Sequence, residues 1–181
     1  MKAKDQFQAA KDMAEVAHEG VVRKFGDDEG MPYTVHTQRV AVRAFEIARN
    51  YYHHEKLAYE IGAVAQVHDV PEDHSDIGYD MDRVVRDLGF LGWQGWALCY
   101  VTKQSRPYDE FILRLVRALE DAATIDQRLA AYAGAIVKYA DLEDNSSSAT
   151  GAMKAKYKLA MYIINDKFKL ITHPIPLYRN R

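Results

Sequence analysis

Leu57, Ile61, Val64 and His68 recur at i, i+4, i+7 and i+11. That spacing places all four on one face of a helix, and the apolar members mark it as the buried face. The stripe therefore carries a histidine into the core, with Asp69 next in the chain. A buried imidazole beside an inward-facing carboxylate is expensive to leave unpaired, so any fold of this chain must supply a partner for both. A metal ion satisfies the two together. Pro71 is expected to stop the helix, leaving Glu72 and Asp73 on the loop just past it.

The rest of the chain reads as helix wherever it has a period, without alternating runs or internal repeats. Helices are expected over about Asp5–Lys24, Thr34–Tyr51 with Thr34 as N-cap, Glu55–Asp69, Asp80–Leu88, Leu91–Thr102, a segment opened by Pro107, Ile125–Asn145 and Gly151–Phe168. Phe25–Pro32, with two glycines, a proline and an acid run, is a loop. Ser146–Ser148 marks a break or a weak helical join. Trp93, Trp96 and Val101 read as core. The expectation is an all-α helical bundle, one domain over residues 1–168, with residues 169–181 as an extended C-terminal tail.

Apolar residues make up 48% of the 181, enough for a real core. A formal net charge of −2 argues against a nucleic-acid binder working by bulk charge. No apolar run is long enough to span a bilayer and the N-terminus lacks a signal-like core, so the expected setting is cytoplasmic, with no membrane partner. The single Cys99 reads as a small buried apolar residue. Nothing in the sequence fixes the oligomeric state.

Two further residues are candidates to share an ion with His68 and Asp69. His36 falls in the first turn of the second helix, facing inward with Val40; Asp141 shares a face of the long helix with Asn145, four residues on. Alone, a His-Asp pair is as readily a surface or capping pair. Two imidazoles and two carboxylates together make a mixed nitrogen and oxygen set suited to Mn, Fe, Zn or Co more than Ca. Four protein ligands leave positions open for water, which a bound ion acidifies. Glu72 and Asp73 lie where they can orient that water or pass a proton to a leaving group. His18 is expected to be a hydrogen-bonded core residue, adjacent His53-His54 to be solvated, and His173 to be a poor ligand.

The order of these residues resembles the HD superfamily of phosphohydrolases, and within it the small alarmone hydrolases of the RelA/SpoT type. Ala17-His18-Glu19-Gly20, Arg23-Lys24 and Gly30-Met31-Pro32-Tyr33-Thr34-Val35-His36 resemble the family opening. His68-Asp69-Val70-Pro71-Glu72-Asp73 fits His-Asp-x-x-Glu-Asp; Val101-Thr102-Lys103 and Lys138-x-Ala140-Asp141-x-x-x-Asn145 match later segments. The resemblance implies His36, His68, Asp69 and Asp141 as ligands, commonly to manganese, with Glu72 and Asp73 as catalytic acids. It also implies that Arg23, Lys24 and Asn145 bind substrate. The implied reaction is hydrolysis of the 3′-pyrophosphate of (p)ppGpp-type guanosine nucleotides to GDP or GTP and pyrophosphate. The chain departs from the pattern at Thr37, where the family usually has proline, and at His74, where it has threonine. Asp27-Asp28-Glu29 and Glu143-Asp144 add acid near the site. A different phosphorylated nucleotide, an HD-type 5′-nucleotidase activity and a non-catalytic nucleotide or metal sensor therefore stand beside the first reading.

Overall fold

The computed structural model describes residues 1–24, 28–103 and 107–171. Among them the fold is all-α. It comprises α1 (Ala3–Ala17), α2 (Tyr33–Tyr52), α3 (Glu55–Gln66), α4 (Val70–Asp73), α5 (Met81–Asp87), α6 (Gly92–Val101), α7 (Tyr108–Glu120), α8 (Ile125–Ser148) and α9 (Gly151–Phe168). The only extended pairing in the described residues is an antiparallel bridge between Val22 and Pro32. No helix among them is long and apolar enough to cross a membrane.

Two helices form the centre. α3 buries Ala58, Ile61, Gly62, Ala63, Val64, Ala65 and Gln66, so it is covered on nearly every side. It packs on α1 and α2, and α8 packs on α2, α3, α6, α7 and α9. Small residues let α8 take so many neighbours. Ala130, Ala131, Ala133, Gly134 and Ala135 are all buried, and a methyl group at Gly134 would stand 3.2 Å from Leu115 and 3.3 Å from Tyr100. A capping box starts α8: Gln127 N–H donates to Thr124 Oγ1 at 3.1 Å, and Thr124 N–H donates to Gln127 Oε1 at 3.0 Å. The site residues come from α8, from the turn that follows α3, and from α2, which packs on both.

Several boundaries differ from the sequence expectations, and each difference bears on the site. α1 ends at Ala17, because His18 and Gly20, the latter at φ 75°, turn the chain. Arg23 is therefore not a helix-terminal cation. It follows the bridge residue Val22, its N–H donating to Met31 O at 2.8 Å. α2 begins at Tyr33 with Pro32 as its cap residue, in place of Thr34. α3 ends at Gln66, three residues short of the expected Asp69. Pro71 is the physical cause: without an N–H it suits the first turn of a new helix, so the break moves upstream and α4 starts at Val70. That turn swings Asp69 toward the histidines.

α8 runs unbroken through the serines to Ser148. Their hydroxyls donate back to carbonyls three residues earlier, at 3.1 Å for Ser146 to Glu143 and 2.6 Å for Ser147 to Asp144. Trp93 and Val101 are core, but Trp96 is 45% exposed and Cys99 is only half-buried. The first tail residues after α9 stay packed on it. Leu170 is buried, and Ile171 N–H donates to Asn165 Oδ1 at 2.9 Å. The rest of that tail, including His173, and the loop residues Phe25–Asp27 and Gln104–Arg106 lie outside the described residues.

Candidate metal centre and adjoining cleft

His36 from α2, His68 and Asp69 from the α3–α4 turn, and Asp141 from α8 converge. His36 Nε2 lies 3.4 Å from Asp141 Oδ1 and 3.7 Å from Asp69 Oδ2; His68 Nε2 lies 3.6 Å and 3.1 Å from the same two oxygens. His36, His68 and Asp141 are buried and offer donor atoms all within 4.8 Å of one another, a grouping able to hold a metal ion. Asp69 brings a fourth donor against both imidazoles.

The tautomers follow from the second bond of each ring. His68 Nδ1 is 2.8 Å from Ala65 O, which can only accept, so Nδ1 carries the proton. His36 Nδ1 is 2.7 Å from Asp144 Oδ2 and donates in the same way. Both rings thus turn Nε2 to the two carboxylates. His68 Nε2 is buried there without a hydrogen-bond partner. A buried lone pair facing carboxylate oxygens calls for a cation, either a proton or a metal ion. Electrostatics agree. Burial works against the imidazolium of His36, but hydrogen bonds to Asp141, Asp144 and Asp69 outweigh it and raise the pKa to about 9. His68 moves well upward for similar reasons, burial again opposing and Asp69 prevailing. Burial opposes ionisation of Asp69 and Asp141 too, yet His68 for the first and Lys138 for the second hold them well below the usual carboxylate range.

An outer layer fixes these donors. Tyr33 Oη donates to Asp69 Oδ2 at 2.5 Å. Lys138 Nζ donates to Asp141 Oδ2 at 2.7 Å, and Asn145 Nδ2 to Asp141 Oδ1 at 2.5 Å. Arg23 Nη2 donates to Asn145 Oδ1 at 3.1 Å. Arg39 Nε pairs with Asp144 Oδ1 at 2.7 Å, and Arg39 also pairs with Asp28. Arg43 takes Glu143 at 2.5 Å. The acids Asp28, Glu143 and Asp144 are thus each paired with an arginine, and Asp144 orients a histidine. Asp27 lies outside the described residues.

Beside the cluster opens a cleft of about 660 Å³, lined among others by Arg23, Lys24, Tyr33, Asp73, Asn145 and Tyr157. This is the size of a small-molecule site. Four of the five residues expected to act on substrate or protons, other than Glu72, therefore share one wall system. Glu72 is turned to the loop, its Oε2 accepting from Lys103 N–H at 2.8 Å. Burial raises the pKa of Glu72, the Lys103 bond opposing, and burial with Asp69 raises that of Asp73. Arg23 is not a free guanidinium, since its side chain is 10% exposed and bound to Asn145.

Sequence reasoning missed several participants, Arg39 and Arg43 among them. Asp144 was expected only as unhelpful charge; its position one turn from Asp141 was the available signal. Tyr33 appeared only as part of a loop motif. His18 is buried as expected, but its Nδ1 meets His74 Nε2 at 2.7 Å, beside Tyr33. His53 and His54 are exposed as expected, and His54 Nδ1 caps α3 by accepting from Leu57 N–H at 3.1 Å. No family model matches this chain, and no curated protein matches it.

Proposed function

We propose that this protein is a metal-dependent phosphohydrolase of the HD type, acting on a phosphorylated nucleotide, foremost the 3′-pyrophosphate of a (p)ppGpp-type guanosine nucleotide. The observation that carries the reading is the convergence of His36 Nε2 and His68 Nε2 on Asp69 and Asp141, with both Nδ1 protons committed elsewhere. Those four residues would hold the ion, with Mn²⁺ first among the borderline divalent metals. Such an ion, when bound, supplies Lewis acidity and an acidified water.

The chain's own groups do the rest. Tyr33 holds Asp69, Lys138 and Asn145 hold Asp141, Asp144 holds His36, and the Ala65 carbonyl holds His68. Glu72 and Asp73, with their pKa values raised, are suited to exchange protons with the attacking water and the leaving phosphate oxygen. Lys24 and the edge of Arg23 give the cleft positive charge for a phosphate chain, and Tyr33 and Tyr157 give it aromatic faces for a base. Asn145, bonded to both Arg23 and Asp141, joins the cleft to the centre.

The test is turnover of a nucleotide panel by Mn²⁺-loaded protein. Release of pyrophosphate from ppGpp with formation of GDP is the expected result. Inorganic phosphate from 5′-mononucleotides would move the protein to the nucleotidase reading. Metal binding with no turnover of any panel member would leave a sensor and overturn the hydrolase reading.

A further inference from the structure

A second group of donors stands beside the first. His18 in the turn after α1, Asp73 at the end of α4 and His74 just past it each bring a donor atom within 4.8 Å of the other two. None belongs to the set His36, His68, Asp69 and Asp141. Asp73 and His74 line the cleft, so a cation in solution has a path to them.

The histidine pair is not a satisfied hydrogen-bonded unit. Only one proton fits between His74 Nε2 and His18 Nδ1 at 2.7 Å. If His18 gives it, His18 Nε2 holds a lone pair; if His74 gives it, His18 Nε2 holds a proton. In both tautomers that nitrogen is buried and without a partner, in a side chain that is 2% exposed. Burial first, and His74 next, lower the His18 pKa to about 4. The ring is therefore neutral at physiological pH, the form that ligates metals. Asp73 adds a carboxylate oxygen, and with it negative charge, to the two imidazoles.

We propose that His18, Asp73 and His74 hold a second divalent cation of the borderline class, such as Mn²⁺, Co²⁺ or Zn²⁺, in the wall of the cleft. Two nitrogens and one oxygen suit that class over Ca²⁺. His18 can ligate through the orphaned Nε2 or through the Nδ1 that now shares a proton. Three protein donors leave positions open on the cleft side, where oxygens of a phosphate chain complete the shell. Such an ion would share the charge of a pyrophosphate with the first, and Asp73 would then be a ligand, leaving proton transfer to Glu72. This role rests on the hydrolase reading; the cation site itself does not.

The experiment counts ions. The full chain is stripped with chelator, reloaded with excess Mn²⁺, desalted and assayed for metal per chain, alongside calorimetric titration with Mn²⁺. Wild type should take up two ions. His68→Ala and His74→Gln should each keep one, and His18→Gln should match His74→Gln. His74 is half-buried, so His74→Gln keeps the test readable if His18→Gln fails to fold. One ion in wild type under excess Mn²⁺, or two ions retained in His74→Gln, would overturn the proposal. Nucleotide turnover is measured separately. Two ions without turnover would sink the hydrolase reading and leave the cation site standing.

Discussion

Asp144→Asn isolates the part of the centre that motif reading passed over. Asp144 Oδ2 accepts the Nδ1 proton of His36 at 2.7 Å, and its other oxygen faces Arg39 Nε at 2.7 Å. The carboxylate thereby fixes the tautomer of His36, turns Nε2 to Asp141 at 3.4 Å and makes that nitrogen more basic. Asparagine keeps the shape and loses the charge. If its amide oxygen serves His36, its NH₂ is set against the Arg39 guanidinium, so one contact must fail. Partners of this kind are worth about 10–100-fold in metal affinity, which is about 1.4–2.8 kcal/mol. Asp144→Asn should therefore weaken Mn²⁺ or Co²⁺ binding by about that factor, read by competition with a chelating fluorophore. Glu143→Gln is the control, because its carboxylate goes to Arg43 and to no candidate ligand. Affinity within twofold of wild type in Asp144→Asn, or an equal loss in Glu143→Gln, would refute the assignment.

Four other outcomes are expected. Glu72→Gln should retain the metal and slow turnover by about 10²–10⁴, the usual contribution of a positioned acid or base; loss of the metal would make Glu72 a ligand. Arg23→Ala should raise KM severalfold and also weaken metal binding, because Arg23 holds Asn145 and Asn145 holds Asp141; steady-state kinetics and metal titration unchanged together would remove Arg23 from both substrate binding and support of the centre. Ile136→Ala, at a fully buried position of α8, should cost about 2–5 kcal/mol in denaturant unfolding, with a loss under 1 kcal/mol denying α8 its central place. In chelator, Tm should fall as pH rises from 6.5 through 9, since the folded state raises the His36 pKa to about 9 and its stabilisation is full only below the unfolded value. Mn²⁺ should largely remove that fall, and a flat Tm in chelator would contradict it.

The helical class and the inward course of His36 and His68 were legible because they follow from periodicity, which is local; for Asp141 the spacing gave only a helix face shared with Asn145. Gly151–Phe168 emerged with the expected ends for the same reason. What was illegible depended on contacts between distant segments. Arg23 looked like a helix-terminal cation because nothing local announces that the chain turns at His18 and pairs Val22 with Pro32. The break before His68 was placed too late because Pro71 was read as a stop, when it equally suits the first turn of a new helix. Asp144 and Glu143 looked like repulsive charge until their arginines were seen, on a helix about a hundred residues away in sequence. Charge pairing across a bundle has no periodic signature, so the outer layer of a site is harder to read than its donors.

The same outer layer explains how the donor set can persist in the fold. Asp69, Asp141 and Asp144 bring three carboxylates into a small volume, where like charges repel strongly. Lys138 is bound to Asp141, and Arg39 to Asp144; Tyr33 gives Asp69 a hydrogen bond and no charge. Asn145 likewise gives the inner oxygen of Asp141 a hydrogen bond and no charge, so the positive charge facing Asp69 and that oxygen comes from the two imidazoles. In the absence of metal these rings are held in the protonated form, so protons supply the cationic charge that faces the inner carboxylates. A divalent ion that takes the Nε2 lone pairs displaces those protons and replaces positive charge with positive charge. The centre is thus organised before an ion arrives, and metal uptake is an exchange with protons, which ties affinity to pH. At the neighbouring pair, burial keeps His18 from taking the imidazolium form, so a cation there would meet a ring without positive charge of its own.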